Sequence, residues 1–548
     1  MGELGGSDEA LRIGRRGFMA GVVAAALAAA CSSGGGSGDD EVEGRDDSGN
    51  GTGNDDEPVD LPPVPDGLAD EVFALGVASG DPRADSVILW TRLVADATAP
   101  DGAIGTSDPV PVAWEVSSDE GFGDDEVVAS GTAVADAAMA HSVHVDVDGL
   151  DPDTWYWYRF TIDGRTSPVG RARTTPGTDD EPESLRFAFA SCQNRQDGFW
   201  TAHDHLAQED VDLVFFLGDY IYEGPPDPGS VQPYRTAAPF DLPTYRARWA
   251  EYKADPALQG GHVRCPWVCT WDDHEVGNNY AGDVAQGADE ADEAARERFL
   301  TQRAAAYQVF YEHMPVRVAP PEGPDLRLHR SLDWGTLARF YVLDGRQYRS
   351  DQECEATAVI AGAGPLCDEA LVDDRTMLGP EQEEWLGETL AASGARWNVL
   401  AQQTVVAHVP FAADLVNLDQ WDGYPAARER LLAQLEGVAN PVVITGDIHL
   451  SAAGTIATAS GEPLATELVG TSISSGFPLA DAVESLVAEL PNVQYINARQ
   501  RGYVVCELTA DELRADFRLV STTSEREATV ETGVSLVVAD GDPVPRLV

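Results

Sequence analysis

Positive charge is what this 548-residue sequence most lacks. It carries 36 lysine and arginine residues against 93 aspartate and glutamate residues, for a formal net charge of −57 at pH 7. Lys253 is the single lysine, and no basic patch is visible. Nucleic acid is itself a polyanion and would be repelled over most of such a surface, so the composition argues against nucleic-acid binding. The length predicts two folded domains with tails.

A membrane-spanning apolar run is also missing near the N-terminus, because the apolar residues 18–30 are too few to cross a bilayer. They follow Arg15-Arg16, a twin-arginine pattern, and together these features predict a signal peptide over 1–31. The expected partner is the twin-arginine export machinery, which carries folded proteins. We therefore expect a protein of the cell surface, the periplasm or the extracellular space.

The end of this run resembles a bacterial lipoprotein cleavage box, with Cys31 as the lipidated residue. The alternative is an ordinary small-residue cleavage site followed by an incidental cysteine. Residues 32–66 are rich in glycine, serine, aspartate and glutamate, so they predict a disordered tether. The expected membrane contact is confined to the lipid anchor.

Residues 67–178 predict a β-sandwich. Short runs such as 86–93 and 154–164 alternate apolar and polar residues and are separated by turn residues. The segment 150–158 is similar to the corner of fibronectin type III-like domains. The expected role of this domain is to pack against the next one or to shape the entrance of its site.

The pattern changes near residue 183, where apolar runs begin to alternate with helical segments. This predicts an α/β domain over 183–530, with a sheet packed between helices, and a C-terminal tail over 531–548. Residues 187–223 predict a strand–helix–strand unit. The loops at the carboxyl ends of parallel strands gather at one rim of a sheet, where α/β proteins bind ligands.

Four predicted strands end in residues of the metal-ligand type. These residues are Cys192, Asp219 with Tyr222, Asp273 with His274, and Asp447 with His449. One such cluster is common by chance, but four at one rim favour a metal site over satisfied buried polar groups. Two-metal hydrolases hold their ions about 3.5–4 Å apart, and Asp219 is the expected bridging carboxylate.

The amino-acid sequences of these segments resemble those of the PhoD-like alkaline phosphatase family, which belongs to the calcineurin-like metallophosphoesterase superfamily. The segments are FASCQ, LGDYIYE, TWDDHEVGNNY, DGRQYR, WNVLAQQT, WDGYPAAR, TGDIH and VGTSISSG. The resemblance covers most of 72–505 and implies a metallophosphoesterase αββα sandwich preceded by a fibronectin type III-like β-sandwich. It also implies twin-arginine export, Fe³⁺ with Ca²⁺ as cofactors, and hydrolysis of phosphate mono- and diesters.

The resemblance further implies two sets of metal ligands. The iron would be held by Cys192, Asp219, Tyr222 and His449. The other metal would be held by Asp273 and Asp447, completed by Asn278 or Gln403. Carboxylates at this second site favour Ca²⁺ or Mg²⁺ over Zn²⁺, and Mn²⁺ is a further candidate.

As a mechanism, we expect a metal-held hydroxide or oxide to attack phosphorus in line while the ions neutralise the developing charge. His274 is the candidate to protonate the departing alkoxide or to steady the phosphate. Arg195 and Arg346 are candidate phosphate clamps, since a guanidinium can bind two oxygens at once. The alternative for each arginine is an ordinary ion pair.

The remaining cysteines fall into two groups. Cys354 and Cys367 bracket a loop rich in glycine and alanine and are expected to form a disulfide, which an exported location permits. The others are expected to be buried thiols: Cys265, Cys269 and Cys506.

The sequence thus predicts an exported, monomeric alkaline phosphatase acting on phosphate monoesters and also diesters. The alternative within enzymes is a phosphodiesterase, including a phospholipase D-type hydrolase or one acting on teichoic-acid-like polymers, with a wider pocket. Outside enzymes, the alternative is a lipid-tethered metal- or phosphate-binding protein on an inactive scaffold. Such a protein would be expected to lose Cys192, Asp219 or His449, and all three are present. A haloperoxidase-like enzyme is disfavoured because no vanadate-type arginine and histidine pattern is visible.

Overall fold

The computed structural model describes residues 61–99, 101–354, 363–410, 415–477, 480, 484 and 490–548. The predicted signal peptide, Cys31 and most of the predicted tether lie outside these ranges, so those assignments stay predictions. Among the described residues, no helix combines the length and the apolar character needed to cross a bilayer.

Eight strands lie in the N-terminal part of the described residues. They are β1 (Val77–Gly80), β2 (Val87–Arg92), β3 (Val110–Ser117), β4 (Val127–Ala135), β5 (Ser142–Val147), β6 (Trp155–Ile162), β7 (Arg165–Thr166) and β8 (Gly170–Arg173). Strands β1, β2 and β5 pack against a sheet of the other five. Every second residue of β6, from Tyr156 to Ile162, is buried between the two sheets, as the alternation requires. The predicted β-sandwich is confirmed.

Sixteen further strands and six α-helices follow in the part of the chain that the structure describes. The strands are β9 (Ser184–Ala190), β10 (Leu213–Leu217), β11 (Trp267–Thr270), β12 (Arg330–Trp334), β13 (Ala338–Val342), β14 (Ala363–Pro365), β15 (Trp397–Ala401), β16 (Leu415–Asn417), β17 (Pro441–Thr445), β18 (Ser451–Ala457), β19 (Pro463–Val469), β20 (Val493–Asn497), β21 (Gly502–Thr509), β22 (Glu512–Val520), β23 (Val530–Ala539) and β24 (Arg546–Leu547). The α-helices are α1 (Thr201–Leu206), α2 (Leu242–Lys253), α3 (Pro256–His262), α4 (Glu293–His313), α5 (Pro380–Ala391) and α6 (Pro425–Leu435). Short 3₁₀ helices span Ala137–Met139, Asp368–Leu371 and Trp421–Gly423.

These elements form four layers. Two sheets face each other across a core in which Phe187 and Phe215 of the first meet Phe340 of the second. Helices α1 to α4 cover the outer face of the first sheet, and α5 and α6 cover the outer face of the second. This is the αββα sandwich expected from the sequence, and it is confirmed.

The abundant aspartates help to start three helices. The side chains of Asp241, Asp255 and Asp292 accept hydrogen bonds from backbone N–H groups in the first turns of α2, α3 and α4. Such caps satisfy donors that a helix start leaves open, each stabilising by typically about 1 kcal/mol. Helices α2 and α3 lie in the segment that connects β10 to β11.

The N-terminal sandwich is not a separate body. Strand β1 pairs in parallel with β11, with Gly80 opposite Trp267, so β1, β2 and β5 extend the first sheet of the αββα sandwich to ten strands. Gly80 is needed there, because a Cβ would lie 2.6 Å from the carbonyl oxygen of Trp267. The predicted domain boundary therefore separates two cores that share one sheet.

The segment 531–548, expected to be a tail, belongs to the fold instead. Strand β23 pairs along β22 from Glu512 opposite Ala539 to Val520 opposite Val530. Leu536 and Val538 are buried in the core between the sheets. The tail prediction was wrong because a period-two pattern of apolar residues was hidden among polar ones, which is sufficient for a strand near a sheet edge.

The cysteine predictions agree with the structure. Cys354 and Cys367 form a disulfide, with their Cα atoms 5.6 Å apart. Cys265, Cys269 and Cys506 are buried free thiols.

The single lysine lies inside the protein, where the sandwich meets α2. The Lys253 ammonium lies 4.5 Å from the ring centre of Trp90 and 5.2 Å from that of Tyr220, and 3.2 Å from His262 Nε2. Burial lowers the pKa of Lys253 from 10.5 to about 7.

We therefore expect a pH-dependent stability difference between the wild type and Lys253→Met. Between about pH 7 and pH 10.5 the unfolded chain holds the lysine proton and the folded chain does not. As the pH rises through this window, the unfolding free energy of the wild type should therefore increase relative to that of the variant. The increase should reach about 5 kcal/mol at the upper end of the window. Denaturant unfolding at several pH values checks this, and parallel curves would contradict it.

Candidate metal centre

Four loops meet at the carboxyl ends of the strands. Strands β9, β10 and β11 are parallel neighbours, with Phe216 opposite Ala190 and Leu217 opposite Thr270, so their ends are level. The loop after β17 reaches the same place from the facing sheet. The loops carry all of the predicted strand-end ligands: Cys192, Asp219, Tyr222, Asp273, His274, Asp447 and His449.

The backbone of these loops is strained. Cys192, Asp219, Asp447 and His449 have φ angles of 58°, 56°, 60° and 56°, in the left-handed region. Such residues cost about 1–3 kcal/mol each and cluster at functional sites. Gly446 permits the loops to approach, because a Cβ there would lie 2.1 Å from Ser191 Oγ. The strained backbone conformations of these loops thus bring the ligand-type side chains together.

The side chains form three groups whose possible ligand atoms lie within 4.8 Å of one another. The groups are Cys192 with Asp219 and His449; Asp219 with Asp273 and His274; and Asp219 with Asp272, Asp273 and Asp447. Asp219 is common to all three. It has the position that a carboxylate bridging two ions requires.

Tyr222 and His449 lie on one side of Asp219. The Tyr222 hydroxyl donates to Asp219 Oδ2 over 2.8 Å and lies 3.2 Å from His449 Nε2. His449 Nδ1 donates to the carbonyl oxygen of Gly476 over 3.0 Å. A histidine fixed in this way presents its other nitrogen as a metal ligand.

Carboxylates lie on the other side of Asp219. Asp272 and Asp273 are buried. Asp272 Oδ2 and Asp273 Oδ1 accept no hydrogen bond from the described residues, and the positive charge facing Asp273 Oδ1 is that of Arg346 Nη2, 3.3 Å away. Buried carboxylate oxygens without a partner are costly. A cation between them would satisfy these atoms. The aspartate pair was visible in the sequence, but only Asp273 was named as a ligand.

The electrostatics also favour bound cations. Burial, followed by repulsion from Asp273 and Asp272, raises the pKa of Asp219 well above its usual value, and burial with repulsion from Asp419 raises that of Asp447 to about 7. Burial and the charge of Asp219 likewise raise the pKa of the Cys192 thiol. Positive ions would remove this repulsion, so the residues present fit a metal centre.

His274 is placed beside Asp219 with a defined partner. Its Nδ1 lies 2.7 Å from Glu223 Oε2, and its ring is stacked on that of Tyr222 with centres 4.1 Å apart. Burial opposes its charge, but Glu223, Asp273 and Asp219 raise the pKa of His274 well above its usual value. The pairing with Glu223 fixes the orientation of the imidazole. Glu223 was not singled out in the sequence.

The two arginines form ion pairs. Arg346 is fully buried; its Nε donates to Asp272, its Nη1 and Nη2 donate to Asp419 over 2.8 and 2.9 Å, and its Nη2 lies 3.3 Å from Asp273 Oδ1. This geometry favours the ion-pair alternative over a phosphate clamp, because the guanidinium is enclosed by carboxylates.

Arg195 is placed in the same manner. Its Nε lies 3.4 Å from Glu251 and its Nη1 3.9 Å from Asp255. These carboxylates belong to none of the three ligand groups. The ion-pair alternative describes Arg195 better than a phosphate clamp as well.

The two amides proposed to complete the second metal differ. Gln403 has both amide atoms engaged: its Nε2 donates to Thr270 Oγ1, 2.9 Å away, and its Oε1 accepts from the backbone of Gly345. It supports the loop after β11 and is not available as a ligand. Asn278 donates its Nδ2 to Gln286 Oε1 over 2.6 Å, and its role as a ligand stays a prediction.

Glu275 was missed as a functional residue. It is fully buried and accepts backbone N–H groups of Asp219 (3.1 Å), Tyr220 (2.6 Å) and Asp272 (2.8 Å). It therefore ties two ligand loops together. Its place in the DDHE cluster was the available signal, although the sequence does not distinguish a ligand from such a support.

The αββα fold and the carboxylate shared by the three ligand groups are typical of metal-dependent hydrolases with a two-metal centre. Comparison with protein families makes this more specific. Residues 187–517 match the PhoD-like phosphatase model, and residues 62–176 match the model of the PhoD-like phosphatase N-terminal domain.

Individual relatives agree with this match. The chain is 44% identical over 486 residues to alkaline phosphatase D of Bacillus subtilis (strain 168), covering 85% of this chain and 80% of that protein. A solved structure described as the structure of PhoD has a TM-score of 0.81 and 42% identity, covering 87% of this chain and 92% of that chain. The chain belongs to the PhoD-like phosphatase family and is a phosphoric ester hydrolase.

Proposed function

We propose that this protein is an exported, metal-dependent alkaline phosphatase that hydrolyses phosphate monoesters and also diesters. The observation that carries the proposal is the position of Asp219, which belongs to all three candidate ligand groups. The similarity to alkaline phosphatase D of Bacillus subtilis supports the same activity at high pH.

Two sets of residues would hold the metals. Fe³⁺ would be bound by Cys192, Asp219, Tyr222 and His449. Ca²⁺, or Mg²⁺ or Mn²⁺ in its place, would be bound by Asp219, Asp272, Asp273 and Asp447, with Asn278 as a further candidate. The bound ions would supply Lewis acidity towards the phosphate ester and its developing negative charge.

The chain itself would supply the proton. His274 Nδ1 is engaged with Glu223, so Nε2 is the nitrogen left to donate a proton to the departing alkoxide. The stacked Tyr222 ring fixes the plane of the imidazole. Glu223 also accepts the backbone N–H of Asn278 over 2.8 Å, which holds its carboxylate in place.

Elemental analysis and ester hydrolysis test this proposal together. The folded protein, purified without chelator or metal-affinity resin, is expected to hold about one iron and one or two calcium ions per chain. It should hydrolyse both p-nitrophenyl phosphate and bis(p-nitrophenyl) phosphate. Zinc or manganese in pairs would overturn the iron assignment, and turnover of the diester alone would favour a phosphodiesterase. No metal and no turnover would favour an inactive binding scaffold.

The proposed location rests on the N-terminal sequence. The twin-arginine pair and Cys31 support export through the twin-arginine machinery followed by lipid anchoring. Cell fractionation checks both steps: Arg15→Lys with Arg16→Lys should retain the protein in the cytoplasm, and Cys31→Ala should release it from the membrane. Normal export of the first variant would contradict the route.

A further inference from the structure

The segment Ser472–Gly476 covers the side of the site on which Tyr222 and His449 lie. Ser475 is fully buried, with its Oγ 2.8 Å from the Tyr222 hydroxyl and 2.9 Å from the carbonyl oxygen of Cys192. The same Oγ accepts the backbone N–H of Asn194 over 3.0 Å. One hydroxyl thus touches the backbone of one candidate ligand and the side chain of another.

Proton counting decides which bond this hydroxyl makes. A serine hydroxyl has one proton, so Ser475 can donate to Tyr222 or to Cys192 but not to both. Without metal, Tyr222 keeps its own proton and donates it to Asp219. A metal-bound phenolate has no proton and only accepts, and a buried anion left without a donor is costly. Metal binding therefore creates a demand for a donor at the position of Ser475.

The segment is held rigidly enough to serve this purpose. Buried Arg501 donates from Nη1 to the carbonyl oxygens of His449 and Ser475 and to Ser472 Oγ. The hydroxyl of Ser474 donates to the carbonyl oxygen of Asn194 over 2.8 Å. The carbonyl oxygen of Gly476 in turn receives the His449 Nδ1 proton. One segment therefore orients the side chains of both Tyr222 and His449.

We propose that Ser475 is a positioning residue that donates a hydrogen bond to the Tyr222 phenolate when metal is bound. It would thereby strengthen metal binding on this side and reduce the electron donation of the phenolate to the ion. This inference rests on the proposed function, in which Tyr222 is a ligand of Fe³⁺. It adds a residue that acts on the metal through Tyr222.

The test compares Ser475→Ala with two matched variants. Ser475→Thr keeps the hydroxyl, and Thr471→Val removes a nearby buried hydroxyl that donates to the carbonyl oxygen of Gln500. We expect Ser475→Ala to lower iron affinity by about 10- to 100-fold in chelator competition. The phenolate-to-iron charge-transfer band should also move to longer wavelength, because a phenolate without its hydrogen bond donates more strongly. Both matched variants should remain near the wild type.

A double-mutant cycle separates this role from a merely structural one. In a Tyr222→Phe background there is no phenolate, so Ser475→Ala should cause no further loss of metal affinity. An equal loss in both backgrounds would overturn the proposal, as would a wild-type affinity and band in Ser475→Ala. If the wild type contains no iron, the iron assignment fails. The same cycle, measured with the metal found there, then decides the role of Ser475.

Discussion

Replacing Asp219 with asparagine is expected to lower kcat by at least about a thousand-fold, which corresponds to several kcal/mol of lost transition-state stabilisation. Asparagine keeps the shape of the side chain but loses its charge and one of its two anionic oxygens. Because Asp219 belongs to all three ligand groups, both metal sites should weaken together. Steady-state rates with p-nitrophenyl phosphate and metal content measured on the same sample check this.

Asp212 offers a matched control at the other end of the same strand. It precedes β10, pairs with Arg173 and accepts the backbone N–H of Arg186 over 2.9 Å, away from the ligand loops. Asp212→Asn is expected to cost stability while leaving metal content near the wild-type value. An Asp219→Asn protein with unchanged metal content and near-normal turnover would show that the shared carboxylate is not the bridge.

The position of the site followed from the sequence because it depends on a local rule. Parallel strands of similar length end level with one another, and the residues after Ala190, Leu217 and Thr270 therefore meet. Apolar runs mark those ends clearly in the sequence. Asp447 and His449 join them from strand β17 of the facing sheet, and the packing of the two sheets, which this rule does not cover, brings the two sets of loops together.

The joining of the two domains did not follow from the sequence. The contact of β1 with β11 is a single pair, Gly80 opposite Trp267, and nothing in a strand of four residues indicates its partner. Strand β23 was missed for a related reason, because the segment forms a strand through its pairing with the neighbouring strand β22. Pairing between distant segments is a tertiary property that period and composition do not encode.

The residues that hold the ligand loops in place could not be predicted from local sequence patterns either. Ser475, Glu275 and Arg346 act through hydrogen bonds to residues between 3 and more than 200 positions away. The expectation that an arginine near such a site clamps phosphate assumes that its guanidinium is accessible. Arg346 is instead fully buried, and burial of this kind becomes visible only in the packed structure.

That burial makes Arg346 the second critical position. Its guanidinium contacts Asp272 and Asp419 and lies 3.3 Å from Asp273 and 3.6 Å from Asp447. It is thus a built-in cation beneath the carboxylates proposed to bind calcium. Removing one partner of a buried ion pair typically costs about 3–5 kcal/mol, because the remaining charges are left uncompensated. We expect Arg346→Met to lose at least this much stability in chelator.

Calcium should restore part of that loss. An added divalent ion supplies positive charge to the same carboxylates, so Ca²⁺ should raise the Tm of Arg346→Met more than it raises that of the wild type. Arg195→Met is the control, because the partners of Arg195, Glu251 and Asp255, are outside the ligand groups. The stability that Arg195→Met loses relative to the wild type should be the same with and without calcium. Calorimetric unfolding with chelator and with Ca²⁺ measures both effects. Equal calcium shifts in all three proteins would mean that Arg346 stabilises its loop without sharing charge compensation with the metal.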